Sequence, residues 1–503
     1  MNESPHAAEI PSLASGPQAR LKVCHVSATS EGATWMFEQL RELRDRHNCE
    51  VVAVVPDDHG SLVEKLRSAN IRYQVIKIAF NLGPVGELRK MIAAILELAR
   101  FFRRERFDVV QTHIFLTLLT ARPAAWLADV PVRTAMIASP FPLQAPSSRA
   151  IERLTYWMDT ALIPSCQFSL DLCRELNIPE KFLAPVIYYS PDERNFDPQN
   201  LSAANIRGEF GWPPDTPVIC MVAYFYPRLP PSRWSPKAVH KRGIKGHEDL
   251  VRAAPIILRE FPSAKFLLVG SGWSAGGEAH FADVRTLVES LRLQESVILP
   301  GYRADANKIL CDADVAVQAS LVENLGGSIE ALLMGCPTVA TRVGGLVDSV
   351  RDGETGVLVS PSNPNDLARG ILELLRDRKR AKALGTAGRA LMLEKFTLRR
   401  TANDLARLYR RLLDQERGRR NFYNPLVSFA RLCAGIPLLS FLFFRYLFLD
   451  LYLPLYFRGD LSRFFSFRHG RYGLLRYYYY VRYLPFRILA RVRTRRTSHR
   501  RRT

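Results

Sequence analysis

Short runs of β-branched residues alternate with longer amphipathic segments along this chain, and the whole pattern occurs twice. The first series lies between Leu21 and about Ser190. Its strand candidates are KVCHVSA (Lys22–Ala28), EVVAVVP (Glu50–Pro56), YQVIKI and FDVVQTHI (Phe107–Ile114), with a long helix near Val85–Arg104. Strands that alternate with helices predict βαβ units and a parallel sheet.

The second series follows a stretch rich in Pro and Asp at about Ser190–Thr216. It holds the strand candidates PVICMVAYF, KFLLVGSG, SVILPGY, DVAVQAS, PTVAT and GVLVS, and a helical region from Pro364 to about Gly418. We therefore predict an α/β protein with two Rossmann-like domains whose parallel sheets face a central cleft. Ligands of such sheets bind beyond the carboxyl ends of the strands, so the site is expected in that cleft.

The 503 residues are divided accordingly. We predict a disordered leader at 1–20, an acceptor-side domain at 21–200, a nucleotide-sugar-binding domain at 201–395, a closing helix at 396–420 and a membrane-associating tail at 421–503. The leader has no apolar core and carries two acids, which is not typical of a secretory signal.

The tail carries most of the excess charge. Sixteen Arg and two Asp after residue 420 give it +14 of the chain's net +21, and twenty-one of the fifty-one aromatic residues lie there. Its longest apolar run, Leu432–Phe444, has thirteen residues, whereas a membrane-spanning helix needs roughly twenty. Aromatic residues with arginines favour a helical segment lying on an anionic membrane surface.

Two alternatives for the tail are packing against the catalytic domains and binding of single-stranded nucleic acid. The apolar content of Leu432–Phe457 favours the membrane, so no nucleic-acid partner is expected. The eight cysteines include no C-x-x-C pair and mostly lie in apolar runs, which is typical of reduced, buried thiols. The expected location is the cytoplasm, with peripheral attachment to the inner face of the cell membrane.

The segment Glu323–Gly345, ENLGGSIEALLMGCPTVATRVGG, combines two glutamates with exposed-backbone residues. Glu323 should follow a strand, and Gly326, Gly327 and Ser328 should begin a helix whose N–H groups favour a phosphate. Glu330 lies one turn into that helix and can accept two hydrogen bonds from a vicinal diol. The segment predicts a nucleotide-sugar site; the alternative is an ordinary helix N-terminus with acids in its first turn.

Five motifs in order resemble the family-4 retaining glycosyltransferases, which have the two-domain GT-B fold. They are Lys245–Gly246, VGSG at Val269–Gly272, PGY at Pro300–Tyr302, the Glu323–Gly345 segment and DGETGVLVSP at Asp352–Pro361. The resemblance covers about Lys22 to Leu413. Here six residues lie between the two glutamates, where the family usually has seven, and the domain junction has Tyr189-Ser190 in place of an Asn-Gly pair.

The resemblance implies that Lys245 and an arginine neutralise the diphosphate, where charge grows as the glycosidic bond breaks. The usual arginine position reads AYFYPR, so Arg228 or Arg242 replaces it, and Arg242 is preferred. Both lie within residues 227–245, PRLPPSRWSPKAVHKRGIK, which we expect to be a long loop at the cleft mouth rather than a packed element. Glu323 is the catalytic glutamate by the same resemblance.

Two residues of the first domain complete the predicted site. Gly32 lies between the first strand and the first helix and resembles the family's glycine turn. His113 ends the fourth strand, where a side chain can face donor or acceptor; the alternative is a histidine that only contributes to packing. Asp312-Ala313-Asp314 resembles the D-x-D metal motif of another fold, but it precedes a strand and so lies away from the cleft. No metal and no cofactor other than the nucleotide-sugar co-substrate is expected.

These observations predict a retaining hexosyltransferase-type glycosyltransferase. It would move a sugar from a nucleotide-sugar donor to a lipid-linked or glycan acceptor, in cell-surface polysaccharide synthesis. The departing phosphate would help to take the acceptor's proton, and the protein would mainly position groups and stabilise charge. The alternatives are a nucleotide-sugar epimerase of the same fold and a non-catalytic sugar-nucleotide-binding scaffold recruited to the membrane.

Overall fold

The computed structural model describes residues 19–78, 85–232 and 235–420. The predictions of a disordered leader and a membrane-associating tail concern residues that lie almost wholly outside these ranges. Among the described residues, no helix is both long enough and apolar enough to span a bilayer.

The first domain is built on one parallel sheet. Its strands are β1 (Leu21–Val26), β2 (Cys49–Val55), β3 (Arg72–Val75), β4 (Val109–His113), β5 (Val132–Ile137) and β6 (Ala161–Pro164). Its helices are α1 (Thr34–Arg46), α2 (Ser61–Ser68), α3 (Val85–Glu105), α4 (Phe115–Leu118), α5 (Ala121–Leu127), α6 (Pro146–Thr155) and α7 (Gln167–Glu175). The strand order is β3-β2-β1-β4-β5-β6.

The second domain repeats this plan. After α8 (Ile206–Glu209), its strands are β7 (Val218–Val222), β8 (Lys265–Val269), β9 (Val297–Gly301), β10 (Val315–Gln318), β11 (Thr338–Thr341) and β12 (Val357–Val359). The remaining helices are α9 (His247–Leu258), α10 (Ser274–Ser290), α11 (Ala306–Asp312), α12 (Ser328–Leu333), α13 (Leu346–Ser349), α14 (Pro364–Arg376), α15 (Arg378–Lys395) and α16 (Leu398–Arg420).

The sheet order β12-β11-β10-β7-β8-β9 is the order of the first sheet read from its other end. In each sheet the first strand of the domain therefore lies beside its fourth, β1 beside β4 and β7 beside β10, with parallel pairing. This is the point where strand order reverses, and a crevice for ligands opens there at the carboxyl ends.

Buried strands explain the strength of the sequence pattern. The β2 sequence CEVVAVV is buried at six of its seven positions, as expected for a central parallel strand covered on both faces. The predicted strand near Tyr73 is shorter than expected, since β3 ends at Val75. The alternating pattern does not single out β5 and β6, whose sequences are VRTAMI and ALIP, because ALIP has only four residues and Arg133 interrupts the apolar run of VRTAMI.

The last helix returns to the first domain. α16 contributes Leu405, Tyr409 and Leu412 to the core that contains Val23 of β1 and Leu40 of α1. The predicted closing helix thus completes the core of the domain that begins the chain. The predicted boundaries at residues 200 and 395 stay predictions.

The seven described cysteines are free thiols, and six of them are buried. This agrees with the absence of a disulfide framework. The insertion at 227–245 differs from expectation, because Val239 is fully buried against Leu321 and Val322. The prediction of an unpacked loop is wrong at this point, since Val239 and Leu229 supply enough apolar surface to form a small core with Phe141 of the first domain.

Candidate active site

The loop after β10 carries Glu323 at the carboxyl edge of the second sheet. Its carboxylate forms an ion pair with Lys245 Nζ. Ser320 Oγ donates to Glu323 Oε2 at 3.0 Å, and the Asn324 backbone N–H donates to Oε1 at 3.1 Å. These contacts hold the carboxylate in one orientation beside the only predicted cleft lysine.

Lys245 is positioned by the turn that precedes α9. Gly246 has φ +73°, and an added Cβ would lie 2.0 Å from the carbonyl oxygen of Ala319, which follows β10. Glycine therefore lets the Lys245 backbone approach the end of β10. The ammonium also lies 5.8 Å from the ring centroid of Tyr226, a cation–π distance.

Electrostatics tie Lys245 to both glutamates. Burial alone would lower the pKa of Lys245, but the negative charges of Glu323 and, more weakly, Glu330 outweigh it and raise the pKa. Burial raises the pKa of Glu330 to about 7, and the charge of Lys245 opposes that rise. Lys245 therefore lies close enough to Glu323 and Glu330 to interact electrostatically with both carboxylates.

The glycine pair lies between the two glutamates. Gly326 has φ +53°, and a Cβ there would lie 2.9 Å from the Glu323 carboxyl carbon. A Cβ on Gly327 would lie 2.9 Å from Gln318 Nε2, at the end of β10. Ser328 begins α12, but its buried hydroxyl bonds Leu325 O and Ser349 Oγ, so only its backbone can meet a ligand without rearrangement.

The two candidate arginines form ion pairs with carboxylates of α9 and α10. Arg242 pairs with Asp249 at 2.5 Å. Arg228 pairs with Asp283 at 2.9 Å and with Glu248 at 3.3 Å. Neither ion pair includes Glu323 or Glu330, so the structure does not bring either guanidinium into the Lys245–Glu323 pair.

Gly32 of the first domain faces the second domain. Gly32 has φ +64°, and an added Cβ would lie 3.0 Å from the Trp273 ring. Trp273 follows the VGSG turn, and its ring lies 5.2 Å from that of Tyr224, just beyond β7. The Gly32 turn therefore lies against Trp273 of the second domain, whose ring packs beside that of Tyr224.

Further contacts cross between the domains beside Glu323. Ser165 Oγ lies 3.2 Å from Asn324 Oδ1, and the Gln167 backbone N–H donates to Asp348 at 2.7 Å. A Cβ on Gly345 would lie 2.6 Å from Cys166 Cβ. The second glycine pair of the motif thus permits close approach of the two domains.

His113 is fully buried at the end of β4. Its Nε2 lies 3.0 Å from His25 Nδ1, and its ring contacts Trp35 at 4.9 Å between centroids. Ile114, the next residue, has φ +69°, which is unusual for a β-branched residue. Backbone strain of this kind is concentrated at functional sites, and it directs the chain sharply away after His113.

Asp312 and Asp314 lie at the amino end of β10, away from the hollow, as predicted. Both pair with Arg207, at 3.2 Å and 2.6 Å. Within the described part of the chain, no cluster of three or more His, Cys, Asp or Glu side chains could hold a metal ion.

Several side chains of the site were not predicted from the sequence. Ser320 and Tyr226 contact the Lys245–Glu323 pair, and the Trp273 ring lies beside that of Tyr226. His25 contacts His113 directly, and Tyr409 contacts His25. The aromatic residues of AYFYPR, directly after a strand, were the available signal for Tyr226. Tyr409 gave none, because it lies on a helix nearly 300 residues from His113.

Comparisons with known proteins show which protein families the two domains are similar to. A model of the family "Glycosyl transferases group 1" matches residues 238–377, and one of a "Glycosyl transferase 4-like domain" matches residues 31–186. The 2-deoxystreptamine glucosyltransferase of Streptomyces kanamyceticus is 26% identical over 65% of this chain and 83% of its own length. The chain spans about half the length of some other relatives. One of them, a GDP-mannose-dependent phosphatidylinositol monomannoside mannosyltransferase of Mycolicibacterium smegmatis, is 28% identical over 43% of this chain and 53% of its own length.

Solved structures show the same architecture. A glycosyltransferase from Rickettsia africae superposes with a TM-score of 0.65 at 18% identity, covering 79% of this chain and 99% of its own. HepE from Anabaena, solved with UDP and glucose, gives 0.63 at 18% identity, covering 77% and 98%. At this identity the likeness establishes the fold. With two matching family models, five ordered motifs and the two facing sheets, the chain belongs to the group 1, family-4 glycosyltransferases and has their GT-B fold.

Proposed function

We propose that this protein is a retaining glycosyltransferase that moves a sugar from a nucleotide-sugar donor to a lipid-linked or glycan acceptor. The observation that carries the proposal is that Lys245, at the carboxyl edge of β10, pairs with Glu323 and interacts electrostatically with Glu330. Cations and diol-binding carboxylates at one place suit a ligand that joins phosphate to sugar hydroxyls.

In this proposal Lys245 stabilises the negative charge that grows on the departing diphosphate. It is already partly desolvated and paired, so an incoming diphosphate competes with Glu323 for the ammonium. The freed Glu323 carboxylate can then accept hydrogen bonds from the sugar. Glu330 accepts hydrogen bonds from the ribose diol. Arg242 binds the phosphate if its ion pair with Asp249 breaks.

The acceptor's proton passes to the departing phosphate oxygen, on the side from which the leaving group departs. The protein contributes position and charge rather than a pair of carboxylates acting as nucleophile and acid. Gly32 and His113 belong to the first domain, at the carboxyl edge of its sheet. The Gly32 turn lets backbone approach the ligand closely, and it already meets Trp273.

The experiment is a donor panel with release of nucleoside diphosphate as the measured quantity. UDP-glucose is a natural first donor, because HepE was solved with UDP and glucose. Glu330→Gln should abolish release, whereas Glu394→Gln, at an exposed position on α15, should leave it unchanged. Absence of release from every common donor, with lipid and glycan acceptors present, would overturn the proposal.

The rival functions give different results in the same experiment. An epimerase would convert the donor alone, as seen by NMR, with no acceptor present. A scaffold would bind the donor but show no turnover, and Glu330→Gln would preserve its role in the cell. Either result would replace the transferase proposal.

We also propose that turnover needs no divalent metal, since Lys245 supplies a cation for the diphosphate. Activity should therefore persist in excess chelator. A cytoplasmic protein attached peripherally to the inner membrane face is proposed from the tail, which has sixteen Arg among its aromatic residues. The full chain should float with anionic vesicles but not with neutral ones, and salt should weaken the binding.

A further inference from the structure

A chain of buried polar side chains links the last helix to the strand switch point of the first domain. It consists of Tyr409 on α16, His25 on β1, and Gln111 and His113 on β4, which together we name the Tyr409 relay. All four side chains are fully buried. Such a network specifies the orientation of its members when its hydrogen bonds are satisfied.

The distances fix the direction of the hydrogen bonds. Tyr409 O lies 2.6 Å from Gln111 Oε1, which can only accept, so the hydroxyl hydrogen lies between these two oxygens. The Tyr409 oxygen must then accept from His25 Nε2, which lies 3.1 Å away. Because burial lowers the pKa of His25 to about 3, its ring is neutral and its Nδ1 carries a lone pair.

That lone pair determines the state of His113. Its Nε2 lies 3.0 Å from His25 Nδ1 and therefore donates to it. Burial, and then the nearby His25, lower the pKa of His113 far below its usual value, so this ring is neutral as well. His113 Nδ1 is consequently a hydrogen-bond acceptor, and it is buried without a partner among the described residues.

A second arrangement competes with this one. Gln111 Nε2 lies 3.1 Å from His113 Nε2 and can donate to it. If His25 Nδ1 also donated there, His113 would carry its hydrogen on Nδ1 and lose its acceptor. In this arrangement His25 Nε2 has no hydrogen, so the Tyr409 hydroxyl would have to donate to it. The oxygens of Tyr409 and Gln111 would then lie 2.6 Å apart with no hydrogen between them.

His113 lies at the sheet edge where ligands bind, but its ring is fully buried, so a ligand reaches Nδ1 only when the side chains that cover it move. It ends β4 beside β1, at the carboxyl edge where the cleft lies. Its ring contacts Trp35, and Trp35 stacks on Tyr189 at 5.3 Å, which interacts with Asn324 of the glutamate loop. A buried acceptor without a partner is destabilising, so a ligand hydroxyl at Nδ1 would be stabilising.

We propose that Tyr409 is a positioning residue that, through His25, keeps His113 in the tautomer whose Nδ1 accepts a hydrogen bond from a substrate hydroxyl. The use of that bond in turnover rests on the proposed transferase function. The tautomer itself does not. The closing helix would then not only complete the first domain's core but also set the hydrogen-bonding character of a residue in the cleft.

The test uses the full chain with ¹⁵N-labelled histidine and long-range ¹H–¹⁵N correlation spectra, which separate pyridine-type from pyrrole-type nitrogens. Tyr409→Phe keeps the ring and removes the hydroxyl. Thr134→Val is the matched control, because Thr134 Oγ1 donates to the same Gln111 Oε1 at 3.2 Å but lies outside the relay. His113→Asn and His25→Asn assign the two rings among the ten histidines.

The expected wild-type spectrum has pyridine-type Nδ1 in both His113 and His25. In Tyr409→Phe, His25 Nε2 loses its acceptor, so His113 Nδ1 should shift toward the pyrrole type, whereas Thr134→Val should keep the wild-type pattern. A pyrrole-type His113 Nδ1 in the wild type, or an unchanged spectrum in Tyr409→Phe, would overturn the relay. These readouts need no enzymatic activity.

Kinetics with the donor identified by the panel test the link to turnover. Loss of one substrate hydrogen bond should lower kcat/KM about tenfold in Tyr409→Phe, with thermal stability reduced no more than in Thr134→Val. Equal losses of kcat/KM in both variants would make Tyr409 a structural residue only. If the wild type turned over no donor, the transferase proposal would fall, while the spectra would still decide the relay.

Discussion

Replacing Gly246 by alanine should move Lys245 away from the end of β10, within the proposed phosphate and sugar site, without removing any charged group. Gly246 links Lys245 to α9 and passes directly over the end of β10. A Cβ at this position would lie 2.0 Å from Ala319 O and 2.9 Å from Ala319 C. Both atoms belong to backbone and cannot rotate away.

The size of the effect follows from these distances. Cβ contacts under 3.0 Å are essentially never observed, so the turn and Ala319 must separate by about 1 Å. The left-handed φ of +73° adds about 1–2 kcal/mol of strain for alanine, and overpacking adds about 1–3 kcal/mol. A displacement of about 1 Å at a catalytic group can lower activity about 100-fold.

Gly211→Ala is the matched control, because Gly211 has φ +65° and no atom within 4 Å of the added Cβ. Urea unfolding and nucleoside diphosphate release should be measured for both variants. We expect Gly211→Ala to lose about 1 kcal/mol of unfolding free energy with unchanged activity, and Gly246→Ala to lose more of both. If Gly246→Ala matched the control in stability and activity, the reasoning from close approach would be refuted.

Three further predictions concern charged groups. The folded-state pKa of Glu330, at about 7, exceeds its ordinary 4.5. The folded protein therefore binds more protons than the unfolded chain between these values, and stability should fall as pH rises through this range. Glu330→Gln should flatten that slope in thermal unfolding, and the donor KM of the wild type should fall as pH rises through about 7. Arg122 is fully buried between Glu152 (2.8 Å) and Asp159 (2.7 Å). Arg122→Met should therefore cost about 3–5 kcal/mol of unfolding free energy in urea, because two carboxyls lose their cation. Arg376→Ala, at an exposed ion pair, should leave the urea midpoint unchanged, and a small loss in Arg122→Met would mean that the two carboxyls are neutral. Asp348→Ala removes the acceptor of the Gln167 N–H between the domains. Hydrogen exchange at the start of α7 should therefore accelerate, while exchange in β4 should stay constant. Equal exchange rates at the start of α7 in mutant and wild type would show that this contact is not maintained in solution.

The alternation of strands and helices made most of the fold predictable. All six strand candidates of the second series form strands, and the final helical region forms α14, α15 and α16. Their ends carry local signals: Asn363 caps α14 through a hydrogen bond to the Asp366 N–H, with Pro364 at the first helical position. Short runs such as ALIP lacked such signals, since their strand pairing depends on neighbours elsewhere in the chain.

Part of the site was also local. Glu323, the glycine pair and Glu330 lie within eight residues, and one strand-loop-helix unit places them together. The role of the insertion was less predictable. Its arginines pair with Asp249, Glu248 and Asp283, and nothing in the order of residues 227–245 distinguishes those partners from a phosphate.

The sequence by itself determined the two parallel sheets, the family and the segment that carries the glutamates, because hydrophobic period, glycine turns and motif order are properties of neighbouring residues. Only the tertiary structure decided that Lys245 pairs with Glu323 across 78 positions, that Trp273 meets Gly32, and that Tyr409 reaches His25 across 384. The physical reason is that hydrogen bonds and ion pairs depend on distances of a few ångströms. Such distances arise from how sheets and the closing helix pack, and the sequence pattern of each element does not contain them.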